Sequence, residues 1–142
     1  MIFVKDVMSR TVRKVDSNAT VGYAAKAMGK WKVGSLVILE GEIPVGIITE
    51  GDVSKCVAMH MDPWKTQVSS GRKHLITVGL DERVEVAAKI MSDAGIKKLP
   101  VMDEGKLVGM VTQTDIVDSS FALVTSLKEM VKARCRPPDF EP

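Results

Sequence analysis

Apolar residues recur along this chain at helical and strand periods, and the same succession occurs twice. Val21, Ala24, Ala25 and Met28 have the i, i+3, i+4, i+7 spacing that lines one helix face, and Val84, Ala87, Ala88 and Met91 repeat it. A short β-rich piece, Thr11 to Val15 or Leu75 to Val78, precedes each helix. Asp16-Ser17-Asn18 or Asp81-Glu82 then supplies helix-start chemistry. After each helix come two apolar runs, 36–39 with 43–48 and 99–102 with 107–111, split by a charged turn containing Gly, which predicts a hairpin. Pro100 cannot donate to a ladder and is expected at the start or the unpaired side of its strand. A closing helix is predicted from Asp52 to Met61, ended by Asp62-Pro63, and from Asp115 to about Arg134, stopped by Pro137-Pro138.

A single ungapped offset of 63 residues carries Thr49 onto Thr112, Val15 onto Val78, Met28 onto Met91, Leu36 onto Leu99 and Asp52 onto Asp115. The chain therefore reads as two β-α-β-β-α units, an α/β (α+β) fold built by repetition. The expected divisions are 1–62 for the first repeat, 63–74 for a polar linker containing Gly71, 75–135 for the second repeat and 136–142 for a tail.

Composition narrows the functional classes. The 142 residues suffice for one compact unit. Aromatics are only 4%, so Val, Ile, Met and Ala must fill the core. A net charge of +2 gives no electrostatic footprint of a dedicated nucleic-acid binder. Cys56 and Cys135 form no disulfide framework and suit a reducing cytoplasm, and the N-terminal stretch carries no signal peptide or membrane-span pattern.

The chemistry-bearing signature is Gly46-Ile47-Ile48-Thr49-Glu50-Gly51-Asp52, which returns as Gly109-Met110-Val111-Thr112-Gln113-Thr114-Asp115. Each copy sets a hydroxyl at the end of a strand and a carboxylate in the first turn of a helix. Two readings fit these residues: ordinary boundary and cap residues, or one wall of a ligand cleft. An ionised Asp can accept hydrogen bonds from the vicinal hydroxyls of a ribose. The Thr hydroxyl and the helix N-terminus can hold ribose or phosphate oxygens.

Together with Lys5-Asp6-Val7-Met8-Ser9, Val33-Gly34-Ser35-Leu36-Val37 and Ile96-Lys97-Lys98-Leu99-Pro100-Val101, the repeated signature resembles the cystathionine β-synthase (CBS) domain family, which occurs in tandem pairs. The likeness runs from Val4 to about Val117. It departs at the entry to the second repeat, where Gln67 to His74 has no Met matching Met8. The resemblance implies two repeats packed sheet to sheet with pseudo-two-fold symmetry, and two clefts suited to an adenosine-containing ligand: AMP, ADP, ATP or S-adenosylmethionine. By the same likeness, one cleft uses Thr49 and Asp52 with Val12, Arg13, Lys14, Gly34, Ser35 and Leu36. The other uses Thr112 and Asp115 with Ile76, Thr77, Val78, Lys97, Lys98, Leu99 and Pro100. Lys97 and Lys98 are expected to favour a phosphorylated ligand in that second cleft, giving the two clefts unequal affinities.

The resemblance implies a cytoplasmic regulatory sensor with no obligatory cofactor, a homodimer, acting on a protein partner that the sequence does not name. The alternatives are a ligand-free interaction scaffold and a nucleic-acid binder using Lys97-Lys98 or the basic run Lys128, Lys132, Arg134 and Arg136, a run that also suits a helix C-terminus. No catalytic constellation is present: no Ser-His-Asp or Cys-His set in context, no paired active-site carboxylates and no Gly-rich phosphate loop, so no enzyme is expected. Cys56 and His60 at i, i+4 are half a metal site at most, and no metal is expected. Met59 and Met61 are read as core filling, and Trp31 and Trp64 as buried between halves or subunits.

Overall fold

The computed structural model describes residues 1–71 and 75–135. The predicted tail 136–142 with Arg136, and the basic triplet 72–74 of the predicted linker, lie outside the described residues, as do the side chains of Arg134 and Cys135. Two three-stranded sheets carry the fold, one per repeat. The first repeat runs β1 (Lys14–Asp16), α2 (Val21–Trp31), β2 (Ser35–Glu40), β3 (Ile43–Thr49) and α3 (Glu50–Ala58), after a one-turn helix α1 (Val4–Val7). The second runs β4 (Val78–Gly79), α4 (Val84–Ala94), β5 (Lys98–Asp103), β6 (Lys106–Thr112) and α5 (Gln113–Cys135). Each sheet pairs its first strand in parallel with the central one and closes with an antiparallel hairpin. The sheets meet across β3 and β6. Among the described residues no helix is long and apolar enough to cross a membrane.

The predicted elements form, with shifted ends. β1 and β4 begin later than the β-rich pieces suggested, because only Lys14–Asp16 and Val78–Gly79 reach the neighbouring strand. The hairpin between β5 and β6 turns on Glu104 and Gly105 at φ 48° and 78°, the pair of positive values a two-residue type I′ turn requires. Pro100 sits inside β5 opposite Met110. Met110 spends both backbone groups on Ser9, at 2.9 Å each, so the Pro100–Met110 pair is a non-hydrogen-bonded one and the missing N–H is not needed on that side.

The leading segments are exchanged between the repeats. Val4 N–H donates to Glu82 O at 2.8 Å and Val84 N–H to Ile2 O at 3.0 Å, so the chain's first residues lie on the second repeat. Correspondingly, Val68 N–H donates to Ala19 O at 2.9 Å and Val21 N–H to Thr66 O at 2.8 Å, which lays part of the segment between the repeats on the first. Val4, 0% exposed, belongs to the core of the second repeat, and Val68, 5% exposed, to that of the first. Val68 therefore fills the role of Val4, one residue out of step with the offset that relates the rest. Gly109 lets the N-terminal segment pass closely: a Cβ there would stand 2.7 Å from Met8 Sδ and 2.8 Å from Ser9 O.

Candidate functional site

Both copies of the signature end a strand and start a helix, and both close the same capping box. Thr49 N–H donates to Asp52 Oδ2 at 2.9 Å, and Asp52 N–H donates to Thr49 Oγ1 at 3.4 Å. In the second repeat Thr112 N–H donates to Asp115 Oδ2 at 2.9 Å and Asp115 N–H to Thr112 Oγ1 at 3.1 Å. Each box satisfies two backbone donors at a helix start. It engages one carboxylate oxygen, while Oδ1 of Asp52 and Oδ1 of Asp115 accept no hydrogen bond among the described residues. A cap role and a ligand role are thus compatible in one side chain.

The start of each central strand is tied to the same helix. Glu50 N–H donates to Gly34 O at 3.2 Å, and Gln113 N–H to Lys97 O at 2.8 Å. Gly34, Ser35, Thr49 and Asp52 are therefore gathered at one strand-to-helix corner, and Lys97, Lys98, Thr112 and Asp115 at the other. Between the corners, Lys98 Nζ donates to Ser35 Oγ at 3.1 Å. Ser35 is 9% exposed, and its side chain is buried at the junction of the two repeats. The Lys98 ammonium is thus turned towards the first corner, while Lys97 is exposed beside its own.

The other proposed cleft residues divide by burial. The side chains of Leu36, Val78, Leu99 and Pro100 are buried, so only their backbone groups are available to a ligand. Val12 and Thr77 are half-buried and Ile76 is exposed. Exposed Arg13 lies with its guanidinium 4.9 Å from the centroid of the Trp31 ring, a cation–π contact, and its carbonyl accepts from Val37 N–H at 3.0 Å. Trp64 is not buried between the halves: it lies over Gly22, where a Cβ would meet its ring at 2.6 Å, and is 62% exposed in the single chain. Met59 and Met61 are exposed as well and fill no core.

A cavity of about 590 Å³ opens between α2 and α3, lined by Ala25, Met28, Gly29, Gly34, Glu50 and Val53 among others. It touches the first corner through Gly34 and Glu50 and is not lined by Thr49 or Asp52. Buried Cys56 sits within donor distance of Met61 O, at 3.8 Å, and among the described residues no group of three or more metal-ligating side chains occurs. Sequence reasoning passed over Glu50. Its signal was in the repeat itself, where the position after the threonine is Glu50 in one copy and Gln113 in the other.

The profile of the CBS domain matches residues 4–58 and 68–121. The chain belongs to the CBS domain family. Its tandem repeats, paired sheets and helix order are those of CBS-pair structures. It is 36% identical over 135 residues to the uncharacterized protein MK0525 of Methanopyrus kandleri, covering 92% of this chain and 69% of that one. It is 29% identical to a homoserine O-acetyltransferase of Methanohalobium evestigatum, over 80% of this chain but only 23% of the enzyme. Among solved structures, the CBS domain pair of protein MJ0100 in complex with 5′-methylthioadenosine and S-adenosyl-L-methionine superposes with a TM-score of 0.78 at 31% identity, covering 87% of this chain and 98% of that one.

Proposed function

We propose that this CBS pair is a non-catalytic regulatory module that binds an adenosine-containing small molecule at the corners built by Thr49 and Asp52 and by Thr112 and Asp115. The observation that carries the reading is the duplicated capping box, which leaves one carboxylate oxygen of each Asp without a partner among the described residues. The ligands of the MJ0100 pair support an adenosyl group as the common element. Ribose hydroxyls donate to the carboxylate, the base lies along the backbone of Val12 to Lys14 with Leu36, or of Ile76 to Val78 with Leu99 and Pro100, and the strand starts Gly34-Ser35 and Lys97-Lys98 meet the ligand's other end.

Binding at the junction regulates only if the ligand has different affinities for two arrangements of the repeats or subunits. We place the module in the reducing cytoplasm, as two copies associated through helical faces and acting on a protein partner. The exposed apolar residues Val117, Phe121, Val124, Leu127 and Val131 of α5 recur every three or four positions and support such a face. Repeat boundaries near 62 and 75 are part of the same proposal, each repeat being completed by a leading segment that packs on it.

Calorimetric titration of the purified chain with AMP, ATP, S-adenosylmethionine and 5′-methylthioadenosine tests the reading. Saturable heat with at least one of them, accompanied by a rise in melting temperature, is the expected result. No heat and no thermal shift at millimolar concentration of any would refute it and favour a ligand-free scaffold.

A further inference from the structure

The two corners differ in charge at the start of the central strand and at the first residue of the helix tied to it. At the first, the position of a Cβ on Gly34 is 3.5 Å from Lys98 Nζ and 3.7 Å from Glu50 Cδ. With no side chain on Gly34, the ammonium and the carboxylate both come within 4 Å of the same point. Among the described residues Glu50 has no ion pair or side-chain hydrogen bond, and Lys98 uses only one of its three N–H donors, on Ser35. Ser35 is nine-tenths buried, accepts that bond, and donates its own hydroxyl proton to no acceptor among the described residues. Ser35 and Lys98 thus keep donors free for an anionic group, and the exposed carboxylate of Glu50 keeps its acceptors free for a cationic one beside it. At the second corner Lys97 stands where Gly34 does in the first, and Gln113 stands in place of Glu50. That corner carries a cation with no opposing carboxylate at the equivalent place.

We propose that Gly34, Ser35, Glu50 and Lys98 form a receptor for the zwitterionic amino-acid end of an adenosyl amino acid, while the corner with Lys97 and Gln113 takes a phosphate. The inference rests on the adenosyl reading above and assigns a different ligand class to each of its clefts. The ligand's α-carboxylate accepts from Lys98 Nζ and the Ser35 hydroxyl, and its α-ammonium donates to Glu50. A nucleotide phosphate in that crevice meets the Glu50 carboxylate and is disfavoured, since like charges at close range repel. No covalent step is involved.

The test compares S-adenosylhomocysteine, 5′-methylthioadenosine, which lacks the amino-acid end, and AMP by calorimetry on wild type, Glu50→Gln, Lys98→Met and Lys97→Met. Melting curves verify that each variant is folded. Glu50→Gln and Lys98→Met are each expected to weaken S-adenosylhomocysteine by about tenfold or more while 5′-methylthioadenosine stays within about twofold. Lys97→Met is expected to weaken AMP alone. If Glu50→Gln leaves S-adenosylhomocysteine unchanged, or weakens both thioethers equally, the zwitterion receptor is overturned while the adenosyl reading stands. If neither thioether nor AMP binds wild type, both fall together.

Discussion

Lys98 donates a 3.1 Å hydrogen bond to Ser35, the residue that holds its own place in the other repeat. One repeat position therefore meets itself across the pseudo-two-fold axis, as a lysine from one side and a serine from the other. Lys98→Met strands a buried hydroxyl, and Ser35→Ala strands an ammonium in a half-buried place. Each is expected to cost about 1 kcal/mol of stability, and the double variant less than the sum, with a coupling of roughly 0.5 to 1.5 kcal/mol in urea denaturation. Strict additivity would mean that the two side chains do not interact in solution.

Asp52 and Asp115 carry two separable duties. As capping-box residues, each on replacement by Ala costs about 1 kcal/mol of folding stability. As ribose acceptors, each on replacement lowers adenosyl affinity in its own cleft by roughly ten- to a hundredfold. Denaturation and calorimetry on the same samples separate the duties: lost stability with intact affinity in both variants leaves only the cap.

The exchanged leading segments make stability transferable between repeats. Val4→Ala removes a fully buried side chain from the second repeat's core and is expected to cost about 2 kcal/mol, with Val68→Ala similar for the first. Hydrogen exchange should report the damage away from the mutation in sequence: faster exchange across β4 to β6 for Val4→Ala, and across β1 to β3 for Val68→Ala. Protection lost only near the substituted residue would contradict the exchange.

Lys32 ends α2 at φ 55°, where its counterpart Gly95 ends α4 at φ 66°. A side chain in the left-handed region costs about 1 kcal/mol that glycine avoids. Lys32→Gly is therefore expected to raise stability by up to about 1 kcal/mol, visible as a higher melting temperature. An unchanged or lower melting temperature would show that the lysine side chain compensates its backbone.

The exposed stripe on α5 predicts self-association. Asp118 lies near its start and Lys128 and Lys132 near its end, so an antiparallel pairing of two such helices opposes unlike charges. Light scattering should give a dimer for wild type and a shift towards monomer for Val124→Glu, which places a charge in the middle of the stripe. A monomeric wild type, or a dimer indifferent to Val124→Glu, would remove α5 from the interface.

Much of this was legible in the residues because it was local and said twice. Helical spacing around Ala24 and Ala87, the hairpins, and the threonine and aspartate of each corner depend on neighbours within one turn or one hairpin, and the repeat confirmed each reading by its copy. Pro100 was legible as an awkward strand residue. That it is tolerated inside β5 depends on the register that sets it opposite Met110 as a non-hydrogen-bonded pair, the backbone groups of Met110 turning away to Ser9, a residue far away in the chain.

The sequence by itself determined the two β-α-β-β-α units and the chemistry of their corners, since propensity, periodicity and capping are short-range effects. Only the tertiary structure decided which repeat each leading segment completes, that Lys98 turns towards Ser35 in the opposite repeat, and that Gly34 opens a gap between Lys98 and Glu50. These relations join residues distant in sequence, and no local preference encodes them. They follow from burying Val4 and Val68 in the available cores and from bringing two sheets face to face along a shared axis.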